Sequence, residues 1–140
     1  MSDEQRIANA RRPIEAYNNK DWDAVRNSMT ADCYYDELAT QRKVEGADAI
    51  IELWQGWAAA QPDSHGTFEK VHVIEGGVVF ELTWRGTMTG ALQSPDGEIP
   101  PTGKSMEVRA CQVTELEGDK AKAIRHYFDL ATMMQQLGLA

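Results

Sequence analysis

Phe68-Glu69-Lys70-Val71-His72-Val73-Ile74, then Glu75-Gly76-Gly77, then Val78-Val79-Phe80-Glu81-Leu82-Thr83-Trp84-Arg85-Gly86-Thr87 reads as two strands of period two joined by a glycine-rich reversal. The same period returns at Met106 to Leu116 and, past Gly118-Asp119, at Lys120 to Asp129, so the second half predicts an antiparallel meander. The first half has helical spacing. Ser2 and Gln5 form a capping-box pattern ahead of Ile7, Ala10, Ile14 and Tyr17, and Pro13 predicts a kink or a restart because proline lacks an N–H donor. A short helix is expected from Asp21 to Met29, and an aromatic strand at Cys33 to Leu38. A third helix, from Gly46 to the stop at Gln61-Pro62, sets Ile50, Leu53, Trp54 and Trp57 on one face. Helices followed by strands predict an α+β fold, one domain over residues 1–140, with helices on one face of a curved sheet and a pocket between the layers.

A chain of 140 residues buries one core without disulfides or metals. Its 22 acids against 14 bases give a net charge of −8, with no Lys/Arg stripe to neutralise phosphates, which excludes a nucleic-acid partner. That charge also disfavours small anions unless Arg109 or Arg125 offsets it locally, so a neutral or weakly acidic substrate is expected. Cys33 and Cys111 have neither Cys-x-x-Cys spacing nor a histidine beside them and read as free buried thiols. His65, His72 and His126 fit no metal-ligand spacing, and phosphate-loop and Gly-x-Ser-x-Gly motifs are missing. No metal and no cofactor are therefore expected, and acid–base chemistry is what remains. The acidic start Met1-Ser2-Asp3-Glu4 and the lack of a long apolar stretch predict a cytoplasmic location and no membrane partner. The connection from Thr89 to Gly103, with Pro95, Asp96-Gly97 and Pro100-Pro101, is long enough for a lid or a dimer arm, or simply a solvated loop.

Asp129 closes the last strand of the meander, directly before the apolar tail that starts at Leu130. Facing a cavity, its carboxyl would have a raised pKa and would act as a general acid/base; as an N-cap for the tail helix, it would have a lowered one. His126 shares a strand face with Ile124 and Phe128, as a satisfied half-buried histidine or a polar group lining the cavity. Gln112 lies on an otherwise apolar face and needs a partner if buried, either His126 or a substrate carbonyl. Tyr34, Tyr35, Trp54, Trp57, Trp84 and Phe128 are candidate pocket walls or plain core. Asp36 and Glu37 are adjacent and project to opposite faces, so at most one of them enters the pocket.

With these elements placed, the chain resembles the SnoaL-like polyketide cyclases, within the nuclear transport factor 2-like superfamily that also holds ketosteroid isomerases and limonene epoxide hydrolases. The resemblance rests on Tyr17-Asn18-Asn19-Lys20-Asp21-Trp22, the Gly46 to Trp57 helix, Pro100-Pro101-Thr102-Gly103-Lys104, His126-Tyr127-Phe128-Asp129 and Gln136-Leu137-Gly138-Leu139. It implies a cone-shaped sheet around a deep pocket, a homodimer through the outer sheet face, and a hydrophobic polyketide-like substrate. It also implies Asp129 as general acid/base for proton abstraction beside a carbonyl in an aldol-type ring closure; such a reaction further needs a donor for the developing enolate oxygen, for which His126 or Gln112 is the candidate. The alternative within the same fold is a non-catalytic binding or interaction module. Epoxide hydrolases of the superfamily set an Asp two residues after a strand Arg, where this chain has Cys111 after Arg109; ketosteroid isomerases use a helical Tyr where it has Pro13.

Overall fold

The computed structural model describes residues 1–94 and 96–140; Pro95, in the long Thr89 to Gly103 connection, lies outside the described residues. Helix α1 (Asp3–Asn18) opens on the expected capping box, with Ser2 accepting from the Gln5 amide and the Gln5 side chain bonding back to Ser2. It runs through Pro13 without a restart, the proline ring being fully buried in the core, which offsets the hydrogen bond it cannot make. After α2 (Trp22–Asn27), capped by Asp21, come β1 (Met29–Glu37), a 3-10 turn at Leu38–Thr40, β2 (Arg42–Glu45) and α3 (Ala47–Ala60). The second half holds β3 (His65–Ile74), β4 (Gly77–Thr87), the short pair β5 (Leu92–Ser94) and β6 (Gly97–Ile99), β7 (Ser105–Glu117), β8 (Lys120–Phe128) and α4 (Leu130–Gln136). The long connection is thus partly a small hairpin of its own.

The main sheet runs β2-β1-β8-β7-β4-β3. Strands β3, β4, β7 and β8 form the expected antiparallel meander, but β1 lies parallel to β8, so the sheet is mixed. The crossover from β1 back to β8 is the rest of the chain, including α3, and a connection of that length is what a parallel neighbour needs. Register shifts in β1, β3 and β7 bend the sheet. Helices α1 and α3 cover the concave face: Ala10 and Ile14 pack on Val78, Phe80 and Leu82, while Ile50, Ile51 and Trp54 pack on Cys33, Tyr35 and Ile124. Met88, Val108, Met133 and Leu137 close the far end under α4. The curved α+β architecture expected from the sequence holds. Among the described residues no helix is long and apolar enough to cross a membrane.

Candidate active site

Sheet curvature and the two helices leave a cavity walled by Trp54, Trp57, Trp84, Phe128, Met106 and Met133. Trp54 and Trp57 come from one face of α3. Tyr17 of α1 meets Trp54 and Trp84 edge-on at 6.0 and 5.6 Å, and Tyr35 meets Trp54 at 5.4 Å. Trp84 lies over Gly66, where a Cβ would come within 2.9 Å of the indole. Asn18 brackets that glycine with one hydrogen bond to its N–H and one from its own amide to the glycine carbonyl.

Into this apolar enclosure the sheet brings one connected set of polar side chains. Glu37 is fully buried, and its register partners are Arg42 on β2 and His126 on β8. Its carboxylate accepts from Thr40 Oγ1 at 2.5 Å, Arg42 at 2.8 Å, Tyr35 Oη at 2.9 Å and Trp57 Nε1 at 3.0 Å. Burial pushes the Glu37 pKa up, but the bonds from Thr40 and Arg42, the Arg42 charge and the bond from Tyr35 outweigh it and hold Glu37 below the usual range. Glu37 is therefore a charged carboxylate inside the protein, stabilised by donors on every side.

Tyr35 Oη also lies 2.8 Å from His126 Nδ1. The hydroxyl has one proton, and burial followed by the Glu37 charge raises its pKa well above 10, so it keeps that proton and gives it to Glu37. His126 Nδ1 must then be the donor to Tyr35. On the other side of the ring Trp84 Nε1, which can only donate, lies 3.1 Å from Nε2. The two contacts agree on a single tautomer, Nδ1–H with an acceptor Nε2, and the donor order is Trp84 to His126 to Tyr35 to Glu37. His126 is 7% exposed, and burial lowers its pKa to about 4 against the opposing pull of the Glu37 charge, so the ring is neutral near pH 7.

Trp84→Phe should raise the His126 pKa above its native value. The indole N–H stabilises only the neutral ring, and a protonated Nε2 would oppose it donor to donor. An NMR titration of the imidazole reads the shift; an unchanged or lowered value would mean that the indole does not hold the tautomer.

The structure brings together His126, Gln112, Tyr35, Trp54, Trp57, Trp84 and Phe128 around the cavity, and three of the sequence candidates, Asp129, Arg109 and Tyr34, fall outside it. Asp129 is exposed and caps α4, accepting from the Thr132 amide at 3.0 Å and from its hydroxyl at 2.6 Å. Those bonds, side chain first and backbone second, hold its pKa below the usual range, the opposite of the shift a cavity base requires. Arg109 is exposed on the outer sheet face, because β7 alternates and Val108 and Gln112 take the inner one. Tyr34 likewise faces outward, accepting from Arg125, which also pairs with Glu115. Gln112 is opposite His126 in the β7–β8 register but makes no hydrogen bond to it, and its Oε1 is buried without a partner.

Arg42, Gln61, Ser64 and Tyr17 were not among the sequence candidates for the site, and of the adjacent pair Asp36 and Glu37 it is Glu37 that enters the pocket. The signal for Glu37 was strand parity: Cys33 and Tyr35 face in, and so does the residue two further on. For Gln61, the C-cap of α3, and for Ser64, hydrogen-bonded to Tyr17 at 2.6 Å, no periodic signal exists. Cys33 is buried, and burial, reinforced by Asp32, raises its thiol to about 12, so it is inert. Burial and the Glu81 charge also push the Cys111 thiol up, but that side chain is only partly buried.

Comparison with known proteins adds to this geometry. A family model described as SnoaL-like polyketide cyclase matches residues 8–137. A proposed SnoaL-like polyketide cyclase from Jannaschia sp. CCS1 superposes with a TM-score of 0.84 at 19% identity, covering 100% of this chain and 97% of that one. IdmH, a proposed polyketide cyclase from Streptomyces antibioticus, gives 0.80 at 20% identity, covering 96% and 99%. A protein of ketosteroid isomerase-like fold from Catenulispora acidiphila DSM 44928, solved with trimethylamine, gives 0.77 at 20% identity, covering 100% and 96%. These likenesses establish the fold. No curated protein matches the sequence.

Proposed function

This chain belongs to the SnoaL-like polyketide cyclase family, and from that membership we propose a cyclase or isomerase acting on a hydrophobic, polyketide-like molecule, with His126 as the group that moves the proton. The observation that carries the reading is the oriented chain from Trp84 through His126 and Tyr35 to the buried Glu37 carboxylate.

Trp84 N–H and His126 Nε2 are bonded to each other, and a substrate carbonyl entering between them would use both. The indole N–H donates to the carbonyl oxygen as it gains enolate charge, and Nε2 takes the proton from the adjacent carbon. The imidazolium so formed keeps its Nδ1–H on Tyr35, whose hydroxyl remains on Glu37. A ring with a pKa near 4 is a weak base and a strong conjugate acid. Proton abstraction is thus the harder half, and return of the proton to a new alkoxide the easier one. The aromatic walls exclude water and fold a flexible chain toward closure.

A second reading is a binding module. Every polar atom of the His126 chain is already bonded inside the protein, so a ligand meets mainly apolar walls. One experiment separates the two: α-proton exchange of 4-acetylbiphenyl in D2O, followed by mass spectrometry. The enzyme reading expects exchange faster than buffer, and Asp129→Asn should retain it, because that carboxyl is spent on capping α4. Binding of the ketone with exchange at the buffer rate favours the module; loss of exchange in Asp129→Asn would return the chemistry to the strand end.

A further inference from the structure

The hydroxyls of Tyr17 and Ser64 have no part in the chemistry above, and their protons do not balance. Tyr17 Oη and Ser64 Oγ lie 2.6 Å apart, and the two residues are 6% and 5% exposed. Two hydroxyls carry two protons, and only one of these can lie between the oxygens. The further contact to the pair is Lys20 Nζ, 3.5 Å from Ser64 Oγ and 2.5 Å from the Ser64 carbonyl, and an ammonium only donates. Among the described residues no acceptor takes the second hydroxyl proton. Buried donors are nearly always paired, so this one needs an acceptor that the chain does not supply.

Lys20 decides which hydroxyl is left over. Its ammonium lies over the Tyr17 ring, 4.2 Å from the ring centre, on a left-handed backbone (φ 52°) that lysine rarely takes. Accepting from that cation makes Ser64 the better donor, so its O–H goes to Tyr17 Oη and the spare proton is on Tyr17. Burial, partly offset by the Ser64 bond, pushes the Tyr17 pKa up to about 12, so the phenol keeps that proton near pH 7. Tyr17 and Ser64 both line the cavity, and the Tyr17 and His126 rings stand 5.6 and 5.9 Å from the Trp84 ring, bordering one indole.

We infer that Tyr17 donates a hydrogen bond to a second carbonyl of the substrate, the one that the enolate attacks, with Ser64 and Lys20 as positioning residues. The substrate class is then a dicarbonyl compound. The inference rests on His126 taking the proton beside the first carbonyl. That Cα–H bond breaks to Nε2, the α carbon bonds to the second carbonyl carbon, and the C=O pair becomes an alkoxide held by the Tyr17 O–H. The proton on His126 returns to that alkoxide, and Tyr17 ends the cycle unchanged. An ammonium is ruled out because this end of the cavity offers only donors, and the net charge of −8 disfavours a carboxylate.

The test is 2,7-octanedione in D2O, which closes to a five-membered ring, with deuterium uptake beside the carbonyls and ring formation followed together by NMR and mass spectrometry. The wild type should do both faster than buffer. Tyr17→Phe should cost ring closure about 10²-fold more than it costs exchange, and Ser64→Ala about three- to tenfold more. Equal losses of closure and exchange in Tyr17→Phe, or wild-type exchange with no closure, would overturn the inference and leave the role of His126 standing. No exchange in the wild type would remove that role and the inference with it. If Tyr17→Phe fails to fold, Ser64→Ala decides, and an unchanged ratio of closure to exchange overturns the inference.

Discussion

Glu37→Ala is expected to lower unfolding free energy by about 3–5 kcal/mol, the largest loss from any single truncation in the site. The carboxylate is fully buried, and its removal strands four donors at once: Thr40, Arg42, Tyr35 and Trp57. The Arg42 side chain is 35% exposed and can turn to solvent, but the buried Tyr35 hydroxyl cannot. Glu37→Gln keeps the volume and an acceptor oxygen, so it should cost less, and the difference between the two variants isolates the charge. Because the folded pKa of Glu37 is depressed, its share of stability is present above its unfolded value and is lost as pH falls through the lower folded one. Urea melts of both variants at neutral pH measure the effect. A loss under about 1 kcal/mol for the alanine variant would mean that the cluster is ornamental.

His126→Asn is expected to lower the α-proton exchange rate by about 10²- to 10⁴-fold, the usual share of a positioned proton-transfer group. Asparagine places an N–H near Nδ1 and keeps the bond to Tyr35, but it has no titrating lone pair where Nε2 was. The same variant should change stability against pH in a distinct window. The folded ring titrates near 4 and the unfolded one near 6.5, so the unfolded chain takes the proton first. His126 thus contributes fully above about pH 6.5, and that contribution, about 3 kcal/mol at most, is lost as pH falls toward 4. The wild type should lose stability across that window and the asparagine variant should not. Glu37 acts below it, so the two are separable. An asparagine variant with native exchange would remove the proton-transfer role.

Much of this was legible beforehand, because strand period and helix caps are local. The Phe68 to Thr87 hairpin, the Ser2–Gln5 box and the α3 face with Trp54 and Trp57 all follow from neighbours within a few residues. Parity along β8 was legible too: with Ile124, His126 and Phe128 on one face, Asp129 falls on the other, and Thr132, three residues on, completes a cap. Family resemblance pulled the catalytic role onto Asp129, and the strand period argues against it. The same rule puts Arg109 outside once Val108 and Gln112 are inside, and Glu37 inside once Tyr35 is. What stayed hidden is long-range register. That β1 pairs parallel with β8, setting Glu37 beside His126, and that Trp84 reaches across β7 to Nε2, depends on sheet order rather than on any local pattern. Gln61 is a helix C-cap whose side chain could have gone to solvent, and only the packing of α3 over β4 and β7 turns it inward.

The most direct test of the proton-handling chain is the ¹⁵N spectrum of His126 as a function of pH. The donor order from Trp84 to Glu37 predicts a neutral ring at pH 7 with the proton on Nδ1 and a non-protonated Nε2, holding that form until pH approaches about 4. A proton on Nε2 at neutral pH, or a midpoint at or above 6.5, would contradict the orientation of the whole chain and with it the role given to His126.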